Sequence, residues 1–204
     1  MTPLLDIRNL KVDFNREGIT TTAVRNISFS LHSGKITAIV GESGSGKSIT
    51  ALSLLNLLPA YAILGGEIMY TRNGTEPVNI LSMPAKDLMN TRGKEIAMIF
   101  QEPMTSLNPV LTCGEQIIET LRRHLDISKK EALSKTIELF TEVELPQPAG
   151  IVNRYPHQLS GGQKQRVMIA MAMCCQPALL IADEPTTALD VRTQKSILEL
   201  IKKL

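Results

Sequence analysis

Apolar and polar residues alternate from Leu4 to Phe14 (Leu5, Ile7, Leu10, Val12, Phe14) and again from Val24 to Leu31 (Ile27, Phe29, Leu31). A period of two predicts two half-buried strands, and the polar stretch Asn15 to Thr22, with Gly18, reads as a loop between them. Ile36, Ala38, Ile39 and Val40 form an apolar run that predicts a further strand. Continuous apolar runs at Ile96 to Phe100 and Ala178 to Ala182 predict strands buried on both faces. Elsewhere the period is helical. Lys86 to Asn90 reads as a short helix, and Glu115 to Leu125 gathers Ile117, Ile118, Leu121 and Leu125 on one face. Ser128-Lys129-Lys130-Glu131 is a capping-box signature opening a helix with Leu133, Ile137 and Phe140 on its apolar side. Gly161 to Cys175 and Val191 to Leu204 are two more helices. Gly65-Gly66 opens a short segment, Glu67 to Thr71, and Asn73-Gly74 is a hairpin-type turn signal before Val78, Ile80 and Leu81. Pro103, Asn108 and Pro109 break regular structure, and Pro146, Pro148 and Gly150 close a helical region that reads as an insertion beside the sheet.

Chemistry enters at Gly41 to Ser48, GESGSGKS, between the Val40 run and the apolar helix start at Ile49, Ala51 and Leu52. The spacing G-x-x-x-x-G-K-S is a P-loop. Gly44 and Gly46 let the backbone turn tightly and bring N–H groups onto phosphate oxygens, and the helix that follows adds the positive end of its dipole. Lys47 would reach the β and γ phosphates and Ser48 would ligate Mg²⁺. A second element is Leu179 to Glu184, an apolar strand delivering two carboxylates at its carboxyl end, where open α/β sheets bind ligands. Asp183 would hold Mg²⁺ directly or through water, and Glu184 is a candidate general base or orienter of the attacking water. A third is Leu159-Ser160-Gly161-Gly162-Gln163, a second anion-binding helix start. Two phosphate-binding helix ends and one nucleotide loop suggest two copies meeting head to tail, each completing the other's site.

Composition narrows the partners. The 204 residues suit one domain with room for a subdomain, and a net charge of +2 with scattered Lys and Arg offers no tract for nucleic acid. No run approaches the roughly 18 apolar residues of a membrane helix and no signal-peptide pattern opens the chain, so it is expected to stay in the cytosol. Cys113, Cys174 and Cys175 lack metal-ligand spacing, and the vicinal pair reads as packed thiol rather than as a redox switch.

Taken together, the P-loop, LSGGQ, LLIADE and ALD segments in this order resemble the ATP-binding subunit of an ABC transporter. The resemblance covers essentially the whole chain and, with Gln101 as the Q-loop glutamine, makes five motifs in order, which are specific where any one alone is not. It implies an α/β fold: a P-loop NTPase (RecA-like) core with an amino-terminal antiparallel β subdomain and a helical subdomain. The core would comprise residues 1–100 and 160–204, and the helical subdomain 101–159. It further implies ATP and Mg²⁺ as ligands. Glu184, Gln101 and Lys47 would be catalytic; Ser48, Gln101 and Asp183 would face the metal. The nucleotide would be held by Phe14 stacking on adenine, by Gly41, Ser43, Gly44, Ser45, Gly46, Lys47, Ser48 and Ile49, and across a dimer by Ser160, Gly161, Gly162 and Gln163. The D-loop would be Ala188-Leu189-Asp190.

Met98 to Pro109, Arg154 to Ala172 and Ala182 to Val191 are similar to the ATPases of dipeptide, oligopeptide and nickel importers. That subfamily implies a second ATP-binding subunit, permease subunits meeting Glu102 to Val110, an indirect link to a substrate-binding protein, and a peripheral place on the cytoplasmic face of the inner membrane. A soluble ABC ATPase acting on DNA or ribosomes is the rival, and no coiled-coil insertion or charged inter-domain linker favours it. His157, beside the signature, is given no catalytic role. One departure stands out: the family's switch histidine is not supplied by His32, His124 or His157. The chain therefore looks truncated, with an unfilled place in its sheet, and is expected to bind Mg-ATP but hydrolyse it poorly.

Overall fold

The computed structural model describes residues 2–72, 75–101, 106–186 and 190–203. The chain divides into two compact units, Met1–Met89 and Asn90–Leu204.

The first unit is built on a four-stranded antiparallel sheet. β1 (Leu5–Arg16) and β2 (Ile19–Leu31) pair along their whole length, β3 (Ala62–Tyr70) pairs with the other edge of β1, and β4 (Val78–Asn79) pairs with β3. Leu5, Ile7, Leu10 and Val12 are buried against Val24, Ile68 and Tyr70, which is what the alternation along β1 requires. The expected loop Asn15 to Thr22 is corrected to a two-residue turn. Asn15 pairs with Thr20 and Arg16 with Ile19, while Glu17 and Gly18 turn the chain with φ of 52° and 81°. Two positive φ values make the hairpin turn whose twist matches its strands, and polar hairpin flanks look like loop in a hydropathy pattern. The Asn73-Gly74 turn signal lies outside the described residues, though the strands on either side of it pair. α1 (Lys47–Ser53) is shorter than its apolar run suggests, because the chain passes into turns through Asn56, where φ is 51°.

A second correction concerns Ile36 to Val40. These residues form no ladder in the described structure, and Ile36 and Val40 are 78% and 88% exposed. An apolar run records a preference for burial, but a strand exists only through a hydrogen-bonded neighbour, and none of the described strands pairs with it.

The second unit places a parallel pair, β5 (Ile96–Ile99) and β6 (Leu179–Ala182), beside helices. α2 (Ala85–Thr91) precedes β5 along the chain. α3 (Cys113–His124), α4 (Lys129–Glu142) and the single turn α5 (Pro148–Ile151) form the helical region, followed by α6 (Gly161–Met173) and α7 (Val191–Lys203). One apolar core joins Ile117 and Leu121 of α3, Phe140 of α4, Val167 and Ile169 of α6, Ile197 and Leu200 of α7, and Ile99 of β5. The Ser128–Glu131 capping box forms in both directions: Ser128 Oγ accepts from Glu131 N at 3.2 Å and Glu131 Oε2 accepts from Ser128 N at 2.8 Å. β5 is buried as its sequence suggests, but β6 is only half-buried and its Ala182 is exposed, so the expectation of a second fully covered strand is revised. A two-stranded sheet has one neighbour per strand, and an apolar composition cannot supply a second. Cys174 and Cys175 close α6 with their Sγ atoms 3.8 Å apart, Cys174 buried and Cys175 half-buried.

Candidate functional site

In the first unit the glycine loop enters α1 through Gly46, the residue before the helix, held at φ 96°. A Cβ there would stand 2.8 Å from the Ala23 carbonyl oxygen of β2, so only glycine lets the loop pack this closely. Gly44 has φ 79°, and Ser43 and Ser45 are exposed. Lys47 Nζ donates to the carbonyls of Gly41 and Glu42, both at 3.0 Å. The ammonium is therefore folded over its own loop. Ser48 and Ile49 sit half-buried in the first turn of α1. The cradle offers backbone N–H groups, the Lys47 ammonium and the Ser48 hydroxyl, a donor set that fits a polyphosphate. Phe14 lies half-buried on β1 with its ring 5.8 Å from that of Tyr61.

In the second unit the parallel register brings Ile99 opposite Ala182, and the next residues on each strand carry the polar groups. Asp183 N donates to Ile99 O at 3.0 Å, which prolongs the ladder by one bond. Gln101 Nε2 donates to Glu184 Oε2 at 3.0 Å, so the structure brings these two side chains together. Glu184 has φ 46° and precedes Pro185. A non-glycine residue in that region, restricted further by the following proline, is locally strained, and such strain gathers where a side chain must be aimed. Asp183 is half-buried beside it.

The LSGGQ segment forms the start of α6. Ser160 Oγ accepts from Gln163 N at 3.3 Å, and Gln163 Oε1 accepts from Ser160 N at 3.0 Å. This reciprocal cap satisfies two backbone donors, while the first-turn N–H groups of Gly161 and Gly162 have no carbonyl of their own helix to meet. Gly162 also fixes packing, since a Cβ there would meet Thr193 Cγ2 at 2.9 Å. Thr193 in turn donates from Oγ1 to Asp190 Oδ2 at 2.6 Å, and Asp190 Oδ1 accepts from the N–H groups of Arg192 and Thr193, both at 3.1 Å. These bonds, the Thr193 hydroxyl first, hold the Asp190 carboxyl below its ordinary value. Asp190 thus caps α7; Ala188 and Leu189 lie outside the described residues, as do Glu102 to Thr105.

The profile of the ABC transporter family matches residues 24–187. The chain belongs to that family. Among its relatives, the glutathione import ATP-binding protein GsiA of Escherichia coli O1:K1 / APEC is 51% identical over 203 residues, and that of Salmonella typhimurium 50%; each match spans 98% of this chain and 33% of the relative. The chain thus spans about a third of the length of these curated relatives. Among solved structures, the ATP-binding cassette MJ0796, in a dimeric post-hydrolysis state bound to ADP and phosphate, aligns with a TM-score of 0.83 and 30% identity, covering 98% of this chain and 82% of that one. The cassette cbiO1 of Clostridium perfringens, part of a cbiONQ complex, aligns with a TM-score of 0.77 over all of this chain and 74% of that one; at 24% identity it speaks to the fold alone. The fold is accordingly the α/β P-loop NTPase fold of an ABC cassette.

Several residues that organise this cassette went unread in the sequence. Thr193 could have been found as the third residue after Asp190, the position where an N-cap partner sits. Arg166 could not. Its guanidinium links the Val143 carbonyl, Glu144 and Ser196 Oγ, groups distant in sequence, and only the packing of α4, α6 and α7 brings them to one arginine. His157 is exposed and stacked on Tyr155, with ring centroids 5.6 Å apart.

Proposed function

We propose that this cassette is the ATP-binding and ATP-hydrolysing motor of an importer whose cargo is a small peptide. The observation that carries the reading is the capped Ser160–Gln163 helix start in the same chain as a phosphate cradle built around Gly46 and Lys47. One chain with two phosphate-facing ends is economical only if two cassettes share each nucleotide. Glutathione, the cargo for which the relatives are named, is a tripeptide and agrees with the peptide-importer character of Met98 to Pro109.

In this reading the nucleotide lies against Gly41, Ser43, Gly44, Ser45, Gly46, Lys47, Ser48 and Ile49, with its base on Phe14. Ser160, Gly161, Gly162 and Gln163 of a second cassette close over the γ phosphate, and Asp190 orders the segment beside them. Ser48, Gln101 and Asp183 would hold Mg²⁺ through oxygen donors, and the ion would supply positive charge against the charge that develops on the phosphate. Glu184 holds and then accepts the proton of the attacking water, and Gln101, bonded to it here, sets its orientation. Residues 101–159 form the helical subdomain and residues 1–100 with 160–204 the core. The permease subunits receive the pull of closure through Glu102 to Val110, on the cytoplasmic face of the inner membrane, and a substrate-binding protein delivers the cargo. Among the described residues no helix is long and apolar enough to cross a membrane.

Binding is tested first. Lys47→Ala should abolish tight binding of Mg-ATP to the chain, measured by calorimetry; unchanged affinity would remove the cradle as the phosphate site. Glu184→Gln should lower turnover by at least about 100-fold, the lower end of what a positioned acid–base group contributes, while ATP-bound dimers persist. Normal turnover would rule Glu184 out as the group that activates water.

A further inference from the structure

α6 runs out into two adjacent thiols that the nucleotide chemistry does not use. Cys174 and Cys175 follow Met173, and their Sγ atoms lie 3.8 Å apart, close enough for one S–H to donate to the other sulfur. Their surroundings differ. Cys174 is 7% exposed and belongs to the apolar core with Ile197 and Leu200, so it is packed as the sequence suggests. Cys175 is half-buried and keeps part of its surface in water. Lys94, exposed in the turn before β5, and Lys135, exposed on α4, are close enough for their charges to act on it. Elements distant in sequence thus bring two cations to one sulfur. Only Gln176 to Ala178 separate that sulfur's residue from β6, the strand that leads to Asp183 and Glu184.

The difference in burial assigns the shared proton. A thiolate is disfavoured in an apolar core and favoured beside water and cations. Cys174 S–H therefore donates and Cys175 Sγ accepts. That hydrogen bond first, and then burial, push the Cys174 thiol up. The same bond, with help from Lys94 and Lys135, holds the Cys175 thiol below its ordinary value against its partial burial. The carboxyl end of α6 repels an anion, which gives the two cations their importance. Cys113, the third thiol, is buried and pushed up to about 11 by that burial, so it is inert at neutral pH.

We infer that Cys175 is a site of reversible S-thiolation by anionic low-molecular-weight disulfides, with Cys174 behind it as a hydrogen-bond donor. The Cys175 thiolate attacks one sulfur of such a disulfide in line with its S–S bond. A bond forms between that sulfur and Cys175 Sγ, the original S–S bond breaks, and its electron pair leaves on the other half as a thiolate that takes a proton from water. Cys175 is oxidised, the small disulfide is reduced, and no further oxidant is needed. The product stays a mixed disulfide. Closing a bridge to Cys174 would join Cα atoms about 3.8 Å apart across one trans peptide, below the lower limit of about 4.4 Å for an unstrained disulfide. Lys94 and Lys135 favour a disulfide that carries carboxylates, and the reverse exchange with a small thiol removes the group.

The chain of residues 1–204, freed of reductant at neutral pH, is treated with glutathione disulfide, and the adduct is counted by intact mass and located by peptide mapping. A single glutathione should attach, on Cys175, leaving Cys113 and Cys174 free, and dithiothreitol should remove it. Cys174→Ala should slow the reaction about threefold: losing one hydrogen bond lowers the thiolate fraction about tenfold, and the stronger nucleophile that remains recovers part of it. Cys174→Ser, which keeps a donor, should react at nearly the wild-type rate. The double variant Lys94→Gln, Lys135→Gln should react about 2- to 5-fold more slowly with glutathione disulfide, the size of exposed charge interactions, and be slowed less with neutral hydroxyethyl disulfide. Mapping needs no substitution and both lysines are at the surface, so the test survives should Cys174→Ala fail to fold. No adduct on Cys175, or one shared equally with Cys113, overturns the site. A bridge between Cys174 and Cys175 in place of the adduct, or a Cys174→Ala variant as fast as wild type, overturns the donor role of Cys174. Equal slowing toward both disulfides overturns the preference for anions.

Discussion

Arg166 shows how much of this cassette's order rests on one side chain. Its Nη1 donates to the Val143 carbonyl at 2.5 Å and to Glu144 Oε2 at 3.2 Å, and its Nη2 donates to Ser196 Oγ at 2.7 Å. The side chain is 15% exposed while Glu144 is 59% exposed, so the ion pair is screened and the two other bonds carry the energy. Arg166→Ala should lower unfolding stability by about 1.5 to 3 kcal/mol, because it strands a carbonyl and a hydroxyl in a crowded junction. Glu144→Ala should cost under about 1 kcal/mol. Arg166→Lys should recover less than half, since one ammonium cannot reproduce a forked donor spanning α4 and α7. Chemical denaturation of the three variants checks the order; equal costs for Arg166→Ala and Glu144→Ala would show that the ion pair dominates after all. Residues proposed for the site on their type and spacing, such as Lys47 and Ser160, are legible in sequence. Arg166 is not, because its partners belong to elements that meet only in the folded unit.

At the scale of elements, helices with a local code were readable and strands that depend on remote partners were less so. Capping boxes are short-range, and the box at Ser128 forms as the spacing predicts. Ser128→Ala should destabilise the chain by about 1 kcal/mol, within the usual range for loss of such a cap. The same substitution should change the pH profile. The Ser128 hydroxyl, followed by its backbone N–H, holds the Glu131 carboxyl below its ordinary value of 4.5. A carboxyl lowered in the folded state adds stability that is fully present above its unfolded value and fades as the pH falls through the folded one. The part of the deficit that the Glu131 carboxylate carries should therefore fade below about pH 4.5, and denaturation midpoints followed from pH 7 to pH 3 test it. A deficit that stays constant across that range would mean that the Glu131 side chain is not part of the cap. The hairpin of β1 and β2 illustrates the opposite case. Its turn needs positive φ at Glu17 and Gly18, and glutamate carries no sequence signal for that conformation, so the polar flanks passed for a loop.

For the whole molecule, the family and the α/β fold were legible because the motifs are contiguous and ordered, whereas the pairing of the sheet was not. Ile36 to Val40 has the composition of a covered strand, yet in this chain it makes no ladder and exposes Ile36 and Val40. Ile99, of similar apolar character, is fully buried in β5. Hydropathy cannot separate the two, since both are apolar runs and only the presence of a neighbouring strand differs. The difference has a measurable consequence. Val40→Thr should change unfolding stability by less than about 0.5 kcal/mol, as a surface substitution does. Ile99→Thr should cost about 1 to 3 kcal/mol, because it buries a hydroxyl among Ile117, Val167 and their neighbours and removes packed carbon. Val40→Thr should also reduce concentration-dependent self-association, followed by light scattering, because an exposed apolar stretch with unpaired backbone groups is a template for pairing between copies. A cost for Val40→Thr as large as that for Ile99→Thr would mean that Val40 is covered in solution, and that the strand read from the sequence finds its neighbour there.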